Sequence, residues 1–297
     1  MNTREERITQ AVAHIVMAVA SLIVVIPFLL LIVASFTDNV WAAANGFTLF
    51  PGKWSLDAYL YIVAQWQTIG KAYLVTILAT AVGTAASILM TTLMAYGSSQ
   101  EHVPGMRILN FLVIFTMLFN GGLVATYYSY VNLFHIRNTF WALVIPNLLM
   151  GAFNIILVRN YFKTSIPPSL IEAARLDGAG EFRIFGTIAL PLSVPIIATI
   201  GLMTGLAYWN DWQNGLYYLT ERGGSQYYTI QVILNNINNN IQSLQANSSA
   251  LAGMNISLPT TTIRMAIAVV GILPILIIYP FFQKYFVKGI TLGGVKE

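Results

Sequence analysis

The sequence predicts an all-α protein that crosses a membrane six times. Two observations carry that expectation. Of 297 residues, 57% are hydrophobic and only 9% are charged, whereas a soluble domain carries about 25% charge. A helix rises about 1.5 Å per residue, so crossing a hydrocarbon core roughly 30 Å thick takes about 20 apolar residues. Six stretches meet that length, at residues 13–36, 72–96, 108–130, 138–158, 188–208 and 265–282, and none contains Lys, Arg, Asp or Glu.

The first stretch continues through Leu29, Leu30, Leu31 and Ile32, past the roughly 7–15 residues of a signal-peptide core. It is read as a retained helix. Residues 37–71 form a loop rich in turn formers and aromatics, among them Gly46, Pro51, Gly52, Trp54, Tyr59, Tyr61 and Trp66. A small interfacial helix is expected over residues 56–66, its aromatic rings at headgroup level. Spans two to four follow with short connections. Residues 223–263 are equally uncharged but carry Asn235, Asn236, Asn238, Asn239, Asn240, Gln242 and Gln245. Burying those amides in lipid would leave them unpaired at several kcal/mol each, so this run is expected to be an aqueous loop. Sequons at Asn247 and Asn255 are read as chance matches.

Basic residues set the orientation, since Lys and Arg stay on the cytoplasmic side. Arg4, Arg7, Arg107, Arg159, Lys163, Arg175, Arg183, Lys284, Lys288 and Lys296 share a side with both termini; Lys53, Lys71, Arg137, Arg222 and Arg264 lie opposite. Ten against five places both termini inside. The expected division is residues 1–71 (tail, first span and first outer loop), 72–290 (the transmembrane domain) and 291–297 (a cytoplasmic tail).

The inner loop at residues 159–191 is the most informative segment. Pro167 and Pro168 suit the opening of a helix, Ser165 is a candidate cap, and Gly178 is placed to end it. The short helix offers Ala173 and Ala174 flanked by Glu172 and Arg175, as a docking lever requires. An ordinary amphipathic surface helix accounts for the segment equally well on physical grounds.

Glu172-Ala173-Ala174, Gly178, Ile188 and Leu190-Pro191 match, without a gap, the EAA signature of bacterial ABC-importer permeases. Tyr208-Trp209-Asn210-Asp211-Trp212 resembles the corresponding stretch of carbohydrate-uptake, maltose-permease-like members. Lys284-Tyr285-Phe286-Val287-Lys288-Gly289 with Gly293-Gly294-Val295-Lys296 is similar to the tail of the second permease in such pairs. Phe119-Asn120-Gly121-Gly122-Leu123 with Thr126-Tyr127 resembles oligosaccharide and polysaccharide members. The resemblance implies a type I ABC importer permease fold and a cytoplasmic coupling helix seated in an ATPase. Its coupling set would be Glu172, Ala173, Ala174, Arg175, Asp177 and Gly178. It further implies a bacterial plasma-membrane location, a second homologous permease, an ABC ATPase dimer, an extracellular solute-binding protein and a sugar substrate. The loop at residues 220–264 would touch that binding protein.

The chain itself is not expected to be an enzyme. It has no Gly-x-x-x-x-Gly-Lys-Ser/Thr phosphate loop, so ATP and its Mg²⁺ belong to a partner. Zero cysteines and three scattered histidines, His14, His102 and His135, offer no metal site. Thinly spread charge does not suggest nucleic acid. The spans lack carboxylates for a driving ion, which disfavours a secondary transporter without excluding one; a non-sugar ABC substrate also stays open. A sugar path needs neutral hydrogen-bonding and aromatic groups, and the candidates are Asn120, Tyr127, Tyr128, Asn147, Asn154, Tyr208, Trp209, Asn210 and Asp211. Gly201 and Gly205 form a Gly-x-x-x-Gly pair suited to packing against a second permease.

Overall fold

The computed structural model describes residues 4–100, 103–246 and 261–294. Along the chain run α1 (Arg4–Ser35), α2 (Asn39–Asn45), α3 (Asp57–Ala64), α4 (Trp66–Ser99), α5 (Met106–Leu118) and α6 (Gly122–Tyr128). A π-helical turn, Ser129–Leu133, leads to α7 (Trp141–Val144), α8 (Ala152–Ser165), α9 (Pro168–Leu176) and α10 (Glu181–Ile184). A second π turn, Phe185–Ala189, precedes α11 (Leu190–Leu192), α12 (Val194–Trp209) and α13 (Gln213–Tyr218). A 3-10 turn, Ser225–Tyr227, then α14 (Ile230–Ala246) and α15 (Thr261–Gly294) complete the order. Among the described residues the only strand-like pairing is an isolated antiparallel bridge, Thr37 to Trp54.

Among the described residues, three helices are long and apolar enough to cross a membrane: Ile8–Ser35, Trp66–Ser99 and Thr261–Pro280. Counting each of two bent pairs as one span raises the number to five: Met106–Leu118 with Gly122–Leu133, at 118°, and Glu181–Leu192 with Val194–Trp209, at 81°. The predicted fourth span, residues 138–158, is not a continuous helix. Pro146 has no N–H to donate, Asn147 adopts a φ of 61°, and residues 145–151 are non-helical between α7 and α8. A run of apolar residues satisfies a hydropathy window even where the backbone turns inside it.

Two further expectations need correction. The run read as an aqueous loop contains the 17-residue helix α14; its amides share a helix with Ile230, Val232, Ile233 and Leu234, an amphipathic pattern that counting amides misses. Residues 247–260, which include both sequons, lie outside the described residues. Ser165 does not cap α9: it ends α8, and α9 starts from Pro167 in extended conformation without a side-chain cap.

The chain divides into two compact units, Met1–Ile69 with Leu234–Pro274, and Gly70–Ile233 with Ile275–Glu297. In the first, the end of α1 is tied to α3 by a 2.8 Å hydrogen bond between the hydroxyls of Ser35 and Tyr59. Phe36 stacks on the same tyrosine at 4.7 Å, and Asp38 pairs with Lys53 at 3.1 Å. The expected helix near residues 56–66 is present as α3.

The second unit holds the predicted coupling segment and the predicted path. There α12 lies against α4 through glycines: a Cβ on Gly83 would fall within the ring of Tyr208, and one on Gly201 would meet Ile88 at 3.1 Å. The glycine pair on α12 is thus used inside this chain, since Gly205 likewise faces Thr84. One apolar cluster joins Ala95 and Tyr96 of α4, Val158 and Phe162 of α8, Ile184, Phe185 and Ile200. A second gathers Val75 and Ala79 around Ala142 and Leu143 of α7 and Tyr218 of α13.

Candidate coupling surface and solute path

Pro168 opens α9 at a position where its missing N–H costs nothing. Gly178 closes it with a φ of 80°, the left-handed conformation that glycine adopts without strain. Ile171 and Ala174 pack inward on the α4–α8 cluster. Glu172 and Ala173 are exposed. The two alanines therefore do not share a face, because neighbours on a helix are about 100° apart.

Arg175 also turns inward. Its Nη2 lies 2.9 Å from Glu181 Oε1 and donates to Gln100 Oε1 at 3.1 Å. The outward surface instead presents Leu176, 89% exposed, and Phe182, 85% exposed, beside Glu172, Asp177 and Gly178. Two large apolar side chains thus lie exposed next to a carboxylate, and exposed apolar patches are where interactions concentrate. Sequence reasoning missed both, because apolar residues in an amphipathic segment are assigned to its buried face. A cleft of about 280 Å³ runs alongside, between Gln100, Phe162, Lys163, Ile171 and Glu172.

The candidate path residues do not all converge. Asn120 builds the break between α5 and α6, its Oδ1 accepting from Gly122 N–H at 2.8 Å. Tyr128 and Asn147 are exposed, while Tyr127 stacks on Tyr218 at 5.8 Å. Asn154 reaches Thr204 at 3.5 Å. Tyr208 is buried and donates to the Val144 carbonyl at 2.7 Å, and Asn214 donates to the Pro146 carbonyl at 3.0 Å. These side chains supply the hydrogen bonds that the interruption after α7 removes.

Asp211, just beyond α12, accepts from the backbone N–H groups of Gln213 and Asn214 at 3.1 and 3.3 Å. Burial pushes its carboxyl above the usual carboxylate range, with those N–H groups opposing the shift. Asn210 is exposed and within 3.4 Å of Gln231 on α14. So Asn210 and Asp211 do meet, at the junction of α12, α13 and α14.

A separate groove of about 400 Å³ is lined by Thr80, Thr84, Ile88, Gly201, Gly205, Trp209 and Tyr279. Trp209 is the only path candidate on it. Its walls are almost wholly apolar, which suits hydrocarbon better than a hydroxylated solute. Among the described residues no group of three or more His, Cys, Asp or Glu side chains converges as a metal site would require.

The sequence profile of the binding-protein-dependent transport system inner membrane component family matches residues 102–292. The chain belongs to that family. Its members are membrane subunits of transport systems, so this chain is an inner-membrane transport subunit and not a catalytic one. It is 41% identical to the polygalacturonan/rhamnogalacturonan transport system permease protein YtcP of Bacillus subtilis, over 93% of this chain and 94% of that protein. It is 36% identical to protein LplC of the same bacterium, over 99% and 97%. A chain of a bacterial ABC transporter involved in importing the acidic polysaccharide alginate superposes with a TM-score of 0.80 at 28% identity, over 96% of this chain and 99% of that one. The matched region takes in α9, the Asn210–Asp211 junction and most of α15.

Proposed function

We propose that this chain is a permease subunit of an ATP-driven importer that moves an oligosaccharide or polysaccharide fragment into a bacterial cell. The observation that carries the reading is α9: a short helix, fixed on one face and exposing Glu172 and Leu176 on the other, with Phe182 of α10 exposed beyond it. A cytoplasmic ABC ATPase dimer would seat on that surface, and rigid-body movement of α9 would open the path to alternate sides. A second, related permease completes the membrane part, and an extracellular solute-binding protein delivers the sugar. Six crossings with both termini inside remain the expected topology, the fourth being the interrupted segment at residues 138–158. Polygalacturonan and alginate, named for two relatives, are both acidic, which makes an oligogalacturonide the first solute to try.

The test is ATP hydrolysis by the complex in lipid nanodiscs, with partner permease, ATPase and binding protein, with and without oligogalacturonide. Stimulation by loaded binding protein is expected, and Leu176→Asp or Glu172→Ala should release the ATPase or abolish stimulation. An ATPase that stays bound and stimulated in both variants would remove α9 from the role. Stimulation by arabino- or malto-oligosaccharide alone would keep the importer and change the sugar.

A further inference from the structure

We infer that Glu181, Tyr96 and Arg175 form a latch that ties the docking helix α9 to the end of α4, so that displacement of α9 is delivered to that span. The inference rests on the proposed docking of an ATPase on α9. The two oxygens of Glu181 are used in different directions. Oε1 receives Arg175 of α9, from Nε at 3.0 Å and Nη2 at 2.9 Å. Oε2 receives the hydroxyl of Tyr96 of α4 at 2.8 Å. Arg175 then closes the ring by donating to Gln100, the residue that follows α4, at 3.1 Å.

Tyr96 is 8% exposed and anchored where three elements meet. Its ring lies edge-on to Phe162 of α8 at 6.1 Å and tilted on Phe185 at 5.3 Å. A push on α9 thus arrives at a side chain with no room to yield. The apolar contacts of Ile171 and Ala174 hold α9 against the same cluster, but such contacts are non-directional and permit sliding. A carboxylate bonded on both oxygens fixes position as well as distance.

Stability does not account for the arrangement. Glu181 is about half exposed, at 52%, and Arg175 one-third, at 34%, and ion pairs open to water contribute little. The turn between α9 and α10 is moreover a weak mechanical link, with Gly178 and Gly180 within four residues. Without the latch, force applied to α9 is absorbed by that turn. Glu181 and Tyr96 are therefore positioning residues: they touch neither ATP nor solute and act through α9.

The experiment compares Tyr96→Phe and Glu181→Ala in the complete transporter in proteoliposomes, reading ATP hydrolysis and uptake of labelled oligogalacturonide together. Both variants should keep the ATPase bound and hydrolysing while uptake per ATP falls about tenfold, within the usual range of coupling between sites. The double variant should be no worse than Glu181→Ala, because both break one network. Unchanged uptake per ATP would overturn the latch. So would parallel losses of hydrolysis and uptake in proportion to complex recovered, which mark a merely structural role. If Glu181→Ala does not assemble, Tyr96→Phe, which removes a single hydroxyl, decides alone. Leu176→Asp in the same preparation tests docking: an ATPase still bound there refutes the docking surface, whatever the two latch variants do.

Discussion

Gly83 shows how much a single residue can decide. Its missing side chain is the space that the Tyr208 ring occupies, so Gly83→Ala forces ring or backbone aside. A loss of about 1–3 kcal/mol is expected from such overpacking, seen as a lower Tm followed by tryptophan fluorescence; an unchanged Tm would mean the helices separate without cost. Asp38 makes a second prediction, through pH. The Trp41 N–H at 2.9 Å and the Lys53 ammonium at 3.1 Å hold its carboxyl below the usual range. A lowered carboxyl stabilises the fold fully above its unfolded pKa and loses that contribution as pH falls through the folded one. Melting of the wild type should therefore weaken below about pH 4 more steeply than that of Asp38→Asn. Parallel pH curves would sink the idea.

At the level of elements, the interruption between α7 and α8 stands on two borrowed hydrogen bonds. Tyr208→Phe keeps the ring and removes the donor to Val144, leaving a buried carbonyl unsatisfied at about 1–3 kcal/mol. Thermal unfolding of the purified complex measures it, and Tyr208→Phe at wild-type Tm would show that water replaces the bond. How far such features are legible in sequence differs by element. Helix α9 was readable, because Pro168 and Gly178 mark its ends by conformation alone. The α7–α8 break was not: Pro146 hinted at it, yet the bonds that make it tolerable come from residues more than sixty positions away. Leu176 and Phe182 were hidden for the opposite reason, since burial is assumed for apolar residues unless a partner is already in view. Asn120 is visible as a motif, but the local turn that uses its oxygen is not.

For the whole molecule, composition fixed the membrane location, and spacing in one loop pointed to the family. The number of crossings needed backbone geometry. Absence of cysteine gives a clean background for testing topology: Asn45→Cys should react with a membrane-impermeant maleimide added outside intact cells, and Asp177→Cys only after permeabilisation. Labelling of both from outside would reverse the inside assignment of α9. The interruption after α7 also carries a consequence for biosynthesis. The carbonyls of Val144 and Pro146 leave the ribosome 64 and 68 residues ahead of the side chains that satisfy them. At roughly 5–20 residues per second, that is a delay of about 3–14 s. Unpaired carbonyls are costly in hydrocarbon, so the segment is expected to keep water or other polar partners at these two groups until the chain through Asn214 has emerged.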